Sequence, residues 1–187
     1  MEIPVLGMDP SLRHWGLAEA NLCLKTGVMD TPLLSLVEPK DLKGKQVRNN
    51  SNDLHIAEQL SSKMISVAKK AKVIFVEVPV GSKSARAMAS YGICVGILGA
   101  IRAMNIPLIE VTATEVKLAL SGDPNASKAT MIEEAMAYYP EAVFPQWRGQ
   151  LAAKAEHVAD AIGAIHAGVK TPMFQNLLRL FQPIQAQ

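Results

Sequence analysis

Residues 5–18 read VLGMDPSLRHWGLA, an apolar run that stops on Asp9, a short proline-bearing turn, and a second apolar run opened by Gly16. The spacing predicts a strand from Ile3 to Met8, a second from Trp15 to Leu22 and a third from Val28 to Val37, with the turn-prone Lys25-Thr26-Gly27 between the last two. Strands this close form an antiparallel meander, since a parallel crossover needs about a dozen or more connecting residues. A polar loop from Pro39 to Ser51 follows, carrying Lys40, Lys43, Lys45 and Arg48 against Asp41. Ile56, Leu60, Met64, Val67 and Ala71 then recur every three or four positions, a helix for which Asn52 or Asp53 is the expected N-cap. Val73 to Val78 reads as a strand, Lys83 to Met104 as a long helix, and Pro107 to Val111 as a fifth strand. Helices are expected at Glu115–Leu120, Lys128–Tyr139 and Gln150–Val169. The order gives an α/β fold: a mixed five-stranded sheet, its first three strands antiparallel, flanked by helices and completed by right-handed crossovers.

Composition narrows the class. The chain has 187 residues, of which 49% are hydrophobic and 19% charged, so it folds around a substantial core rather than remaining disordered. The longest charge-free apolar stretch, Ala87–Ile101, is shorter than the roughly 20 residues that span a bilayer. The opening MEIPVLGMD has no basic leader segment, and Cys23 and Cys94 form no paired motif. No membrane association and a cytoplasmic location are therefore expected. A net charge of +2 is too mild to mark a nucleic-acid binder, so such a role must rest on local patches.

Acids at the ends of apolar strands are the most informative residues. Asp9 ends the first strand, and Glu77 sits in VIFVEVPVG with apolar neighbours from Val73 to Val80. A carboxylate so placed either keeps its proton or finds a cation. For Asp9 alone a solvent-exposed acid is the plainer explanation; for Glu77 nothing cationic lies near in sequence. In KAEHVADAIGAIH, His157 and Asp160 are three apart and Glu156 and Asp160 four apart, so all three project to one side of a helix. Taken singly, His157 reads as a half-buried imidazole bonded to its own helix turn. Together the acids and imidazole make a hard donor set suited to Mg²⁺ or Mn²⁺ rather than zinc. Two such ions about 4 Å apart support phosphodiester displacement. Lys117, Lys128, Lys83 and Arg86 lie where basic groups grip phosphates, whereas Lys69, Lys70 and Lys72 read as a solvated face. Gly92, Gly96 and Gly99 share helical spacing, which internal close packing explains more simply than a dimer seam.

Four blocks carry a family resemblance: VLGMDPSLRHWGLA, FVEVPVGSKSARAMASYG, VTATEVKLALSGDPNASKATM and EHVADAIGAIHAG. In order and separation they resemble RuvC, the bacterial and phage Holliday-junction resolvases of the RNase H-like superfamily, with a phage-type member among the expectations. The resemblance covers nearly all of residues 1–170. It implies an RNase H-like nuclease domain there, with 171–187 as an extension that forms a short helix or tail. It further implies Asp9, Glu77, His157 and Asp160 as metal-binding catalytic residues, with aspartate common in the family where His157 stands, and Glu156 as a lesser candidate. Lys117 and Lys128 match lysines that support catalysis and DNA binding, and Lys83, Arg86, Lys43, Lys45 and Arg48 complete the expected DNA-binding set. The implied activity is Mg²⁺-dependent resolution of four-way DNA junctions by paired, symmetrical hydrolysis leaving 5′-phosphate and 3′-hydroxyl ends, with Mn²⁺ able to substitute. The implied assembly is a homodimer, which raises the dimer reading of the glycine-bearing helix above the packing reading. The residues name no helicase partner. Val80 stands where family members carry a base-stacking aromatic, which favours a broader branched-DNA nuclease as a second reading. A non-catalytic junction-binding protein would share the same scaffold, although all four ligand positions hold plausible ligands. An actin-like ATPase also begins with an aspartate-bearing strand turn, but the chain is short for the two domains that clamp ATP.

Overall fold

The computed structural model describes residues 1–148 and 150–181. Its main sheet has five strands, β1 (Glu2–Asp9), β2 (Trp15–Cys23), β3 (Leu33–Val37), β4 (Val73–Glu77) and β5 (Leu108–Val111), in the order β3-β2-β1-β4-β5. The first three pair antiparallel, and β4 and β5 are added in parallel. This is the expected mixed sheet. Strand alternation splits the core in two. Leu6, Met8, Leu17, Ile74 and Val76 face helices α1 (Asn49–Ala68) and α2 (Ala85–Arg102). Val5, Ala18, Phe75 and Val111 face α3 (Ala113–Ser121), α4 (Lys128–Tyr138) and α5 (Ala155–Gly168).

Several boundaries differ from the sequence expectation, each for a local reason. The third strand begins at Leu33, not Val28, because Asp30 accepts the Asn21 backbone N–H at 2.8 Å and its amide at 2.9 Å, and Pro32 has no N–H to donate. Met29 bridges back to Leu22 as an isolated pair. Helix α1 starts one turn earlier than expected, with Arg48 at the N-cap. Asn52 and Asp53 serve tertiary contacts instead: Asn52 accepts from the Leu42 N–H at 2.8 Å and donates to Asp41, and Asp53 holds Arg86. Helix α3 begins at Ala113 because Thr112 and Glu115 form a reciprocal capping box. The last long helix begins at Ala155 rather than Gln150. The residues before it form a small hairpin, β6 (Gln146–Trp147) with β7 (Gln150–Leu151).

The extension contains α6 (Pro172–Phe181), with residues 182–187 outside those described. Phe174 is buried edge-on against Phe75, ring centres 5.3 Å apart, so this helix is docked on the core. Internal packing does not explain the α2 glycines. A Cβ at Gly92, Gly96 or Gly99 would meet nothing within 4 Å, so that helix face is open. Among the described residues no helix is long and apolar enough to cross a membrane.

Candidate active site

Parallel pairing of β1 with β4 matches Met8 to Val76, which puts Asp9 and Glu77 side by side at the carboxyl ends of adjacent strands. Both fall on the odd-numbered face, the one covered by α5. Two glycines let that helix come unusually close. A Cβ at Gly7 would sit 2.0 Å from the Ala161 carbonyl oxygen, and one at Gly16 would sit 2.0 Å from that of His157. With no side chain at either point, the α5 backbone rests directly on β1 and β2, and its first turns face the strand ends.

There the His157 Nδ1–H donates to Asp9 Oδ2 at 2.6 Å, with the two side chains only 19% and 15% exposed. The imidazole is therefore bonded to the first strand, not to its own helix turn. Burial disfavours its protonated form, but the hydrogen bond and charge of Asp9, with Glu156 and Asp160, outweigh burial and raise its pKa. One turn on, Asp160 is pushed up to about 8, first by burial and then by the negative charges of Asp9 and Glu77. Glu77 is pushed up to about 7 by burial and by Asp9, with Lys117 opposing. The pocket thus concentrates more carboxylate than its own cations neutralise.

That imbalance fits a divalent cation, and oxygen donors with one imidazole are the right chemistry for it. The side chains do not form a finished cage. Among the described residues no three His, Cys, Asp or Glu side chains surround a common point as ligands, and His157 spends its Nδ1 on Asp9. Asp9, Glu77, His157 and Asp160 are nonetheless brought together, with half-buried Lys117 beside Glu77. Lys128 reaches the same cleft from the start of α4, where its ammonium pairs with Glu156 at 2.7 Å. Glu156 is thereby held by a lysine, 3.7 Å from His157 Nε2.

The other basic residues stand further out. Arg86 makes a two-pronged bond to Asp53, 2.5 and 2.6 Å, which straps α2 to α1. Lys83 is exposed in the turn before α2. Lys43, Lys45 and Arg48 are exposed on the loop between β3 and α1, which is tied to the turn after Asp9 by Arg13 bonding Asp41 at 2.6 Å.

Sequence patterning does not single out His14, yet the fold brings it to the site. Its ring stacks on that of His157, centres 5.6 Å apart and 19° from parallel. Its Nε2 lies 3.5 Å from Glu38, which also accepts from Lys154. Burial, then Lys154 and His157, lower the His14 pKa, so it stays neutral beside its neighbour. An imidazole in the turn directly after a strand-end aspartate was the available signal.

No family model and no curated protein sequence matches the chain. Solved structures do. The T. thermophilus RuvC in complex with Holliday junction substrate superposes with a TM-score of 0.66 at 17% identity, covering 93% of this chain and 96% of that one. The Thermus thermophilus RuvC structure gives a TM-score of 0.59 at 16% identity over 88% and 92% of the two chains. The similarity extends over most of the length of each chain, and this chain has a RuvC-like fold.

Proposed function

We propose that the chain is a metal-dependent, structure-selective endodeoxyribonuclease that resolves four-way DNA junctions by paired, symmetrical cuts leaving 5′-phosphate and 3′-hydroxyl ends. The observation that carries the proposal is the convergence of Asp9, Glu77, His157 and Asp160 in one desolvated pocket where two carboxyls are pushed up to about 7 and 8. The similarity in fold to a protein solved with Holliday junction substrate supports the choice of DNA substrate. Asp9, Glu77, His157 and Asp160 would hold Mg²⁺ or Mn²⁺, two ions in the full site, and the metal would activate water and stabilise the phosphodiester oxygens.

The chain's own groups do the rest. Glu77 and Asp160 would hold the metal in their ionised forms, and His157, whose Nδ1 is bonded to Asp9, would offer its neutral ring. Lys117, facing Glu77, is placed to hold a phosphate oxygen at the cleft. Lys128 does the same from the other wall, its ammonium exposed beyond Glu156. Lys83, Lys43, Lys45 and Arg48 supply phosphate contacts away from the cut, and Arg86 contributes its remaining N–H donors while anchored to Asp53.

The open glycine face of α2 has Met88 and Val95 exposed beside it and fits a second copy of the chain, whose twofold symmetry would deliver two cuts. We propose residues 1–170 as the nuclease domain, acting in the cytoplasm without a membrane. A broader branched-DNA nuclease is the second reading, favoured by Val80, which is 90% exposed and offers no ring to stack.

The test is cleavage of a synthetic four-way junction with Mg²⁺, with Mn²⁺ and with chelator. Paired, metal-requiring nicks are expected, lost in Asp9→Asn and Glu77→Gln while junction binding persists. Cleavage retained in both variants sinks the site assignment. Equal cutting of flaps and three-way junctions moves the reading to the broader nuclease, and tight binding with no cleavage moves it to a binding module.

A further inference from the structure

The hairpin between β6 and β7 carries an exposed indole that the proposed catalytic groups do not use. Trp147 is 71% exposed at its tip. Trp15, Phe75, Phe144 and Phe174 are buried, and the exposed Tyr138 packs edge-on to His166. Covering an exposed indole with a partner is favourable by roughly 1.5–3 kcal/mol.

Three features say what it meets. First, the ring has a cation beside it. Arg148 has a left-handed backbone, φ 51°, and its guanidinium lies 5.9 Å from the Trp147 ring centre. The hairpin base is pinned by the Ala152 N–H donating to the Pro145 carbonyl at 3.0 Å and by buried Phe144. Second, its surroundings are polar. Cross-strand pairing puts Gln150 opposite Trp147 and Leu151 opposite Gln146. The indole therefore shares its face with an amide and a guanidinium, while the apolar Leu151 lies on the reverse. Planar π surface, amide and guanidinium together suit a nucleobase with its phosphate better than an apolar protein patch. Third, it is near the cut. Ala152 leads through an i+3 hydrogen bond into α5, so the chain path puts the Trp147 backbone within roughly 20 Å of His157, a few nucleotides along a strand.

We propose that Trp147, with Arg148 and Gln150, is a stacking platform for an unpaired nucleobase on the DNA strand that enters the cleft. The inference rests on the reading of the chain as a branched-DNA-binding protein and adds a base contact to a site otherwise built from phosphate and metal groups. It also assigns a sequence-tolerant stacking residue to a different element from the Val80 loop.

The chain's two tryptophans make the test direct, since Trp15 is wholly buried and Trp147 is the one that solvent or DNA can reach. Full-length protein is titrated in chelator with a four-way junction, a single-stranded oligonucleotide and a closed-end duplex, following tryptophan emission and affinity together. Quenching by the junction and the single strand, but not by the closed duplex, is expected. Trp147→Ala should abolish the quench and weaken junction binding about 5- to 150-fold, the equivalent of about 1–3 kcal/mol per stacked base, with Trp147→Phe restoring most of the affinity. Junction binding with unmoved emission, an equal quench from the closed duplex, or wild-type affinity in Trp147→Ala overturns the platform alone. Failure to bind any of the three DNAs overturns it together with the nuclease reading.

Discussion

Replacing Asp160 by asparagine removes a carboxyl that the folded chain cannot comfortably ionise. In the folded state Asp160 holds its proton to about pH 8, against an ordinary value of 3.8, because it is buried and faces Asp9 and Glu77. Between those two values the native chain binds more protons than the unfolded chain, so stability falls as pH rises and reaches its full loss above about pH 8. Each pH unit in that window costs about 1.4 kcal/mol, a gross penalty of about 5–6 kcal/mol. Water entry and side-chain relaxation reduce what is measured, and about 2–3 kcal/mol is the expected gain for Asp160→Asn near pH 9. That corresponds to roughly 5–10 °C in Tm for a chain of this size. Asparagine keeps the shape, stays neutral, and removes one of the charges acting on its neighbours. The assay is urea and thermal unfolding of both proteins in chelator from about pH 5 to pH 9. The variant's advantage should be small at the acid end, grow steadily with pH, and shrink when Mn²⁺ is added, because only the parent gains full binding energy. A variant no more stable than its parent near pH 9, or an advantage independent of pH, would refute the claim that the pocket carries uncompensated carboxylate.

Metal binding should eject protons, since His157 must be neutral and Glu77 and Asp160 ionised before they act as ligands. Calorimetric Mn²⁺ affinity should therefore rise from about pH 6 to about pH 8.5, with heats that depend on the buffer's ionisation enthalpy; buffer-independent heats would count against this ligand set. Gly16→Ala would drive a Cβ into the His157 carbonyl and should cost about 2–4 kcal/mol in unfolding experiments while separating His157 from Asp9, seen as a fall in the imidazole pKa by NMR. Gly96→Ala, in contrast, meets open space within a helix and should stabilise the monomer fold by about 0.5–1 kcal/mol while weakening self-association; an unchanged dimer constant would remove α2 as the seam.

Much of the architecture was legible because its signals were local. Short apolar runs marked β1, β2 and β4, and the acids ending β1 and β4 stood out against apolar neighbours. What misled were polar residues whose partners lie far away in sequence. Asn52 and Asp53 looked like helix caps, yet they bind Asp41 and Arg86. Gln150 looked helical because the pattern of α5 continues back through it, whereas pairing with Trp147 makes it strand. The spacing of Gly92, Gly96 and Gly99 was plain, but whether that face is covered depends on what packs against it. His14 escapes notice for a related reason. Only the arrival of α5 turns it into a neighbour of His157.

The bond between Asp9 and His157 joins residues 148 positions apart. Among the described residues the strand carrying Asp9 comes early in the order of elements and the helix that covers it comes late. Its central place between β2 and β4 is only half filled until β4 has emerged. Contacts of such long range are slow to form and come late in folding. On a sheet without α5, Asp9 and Glu77 stand without His157 and Asp160, which arrive together when that helix packs onto Gly7 and Gly16. The order of the elements itself keeps Asp9 and His157 apart until α5 has been made.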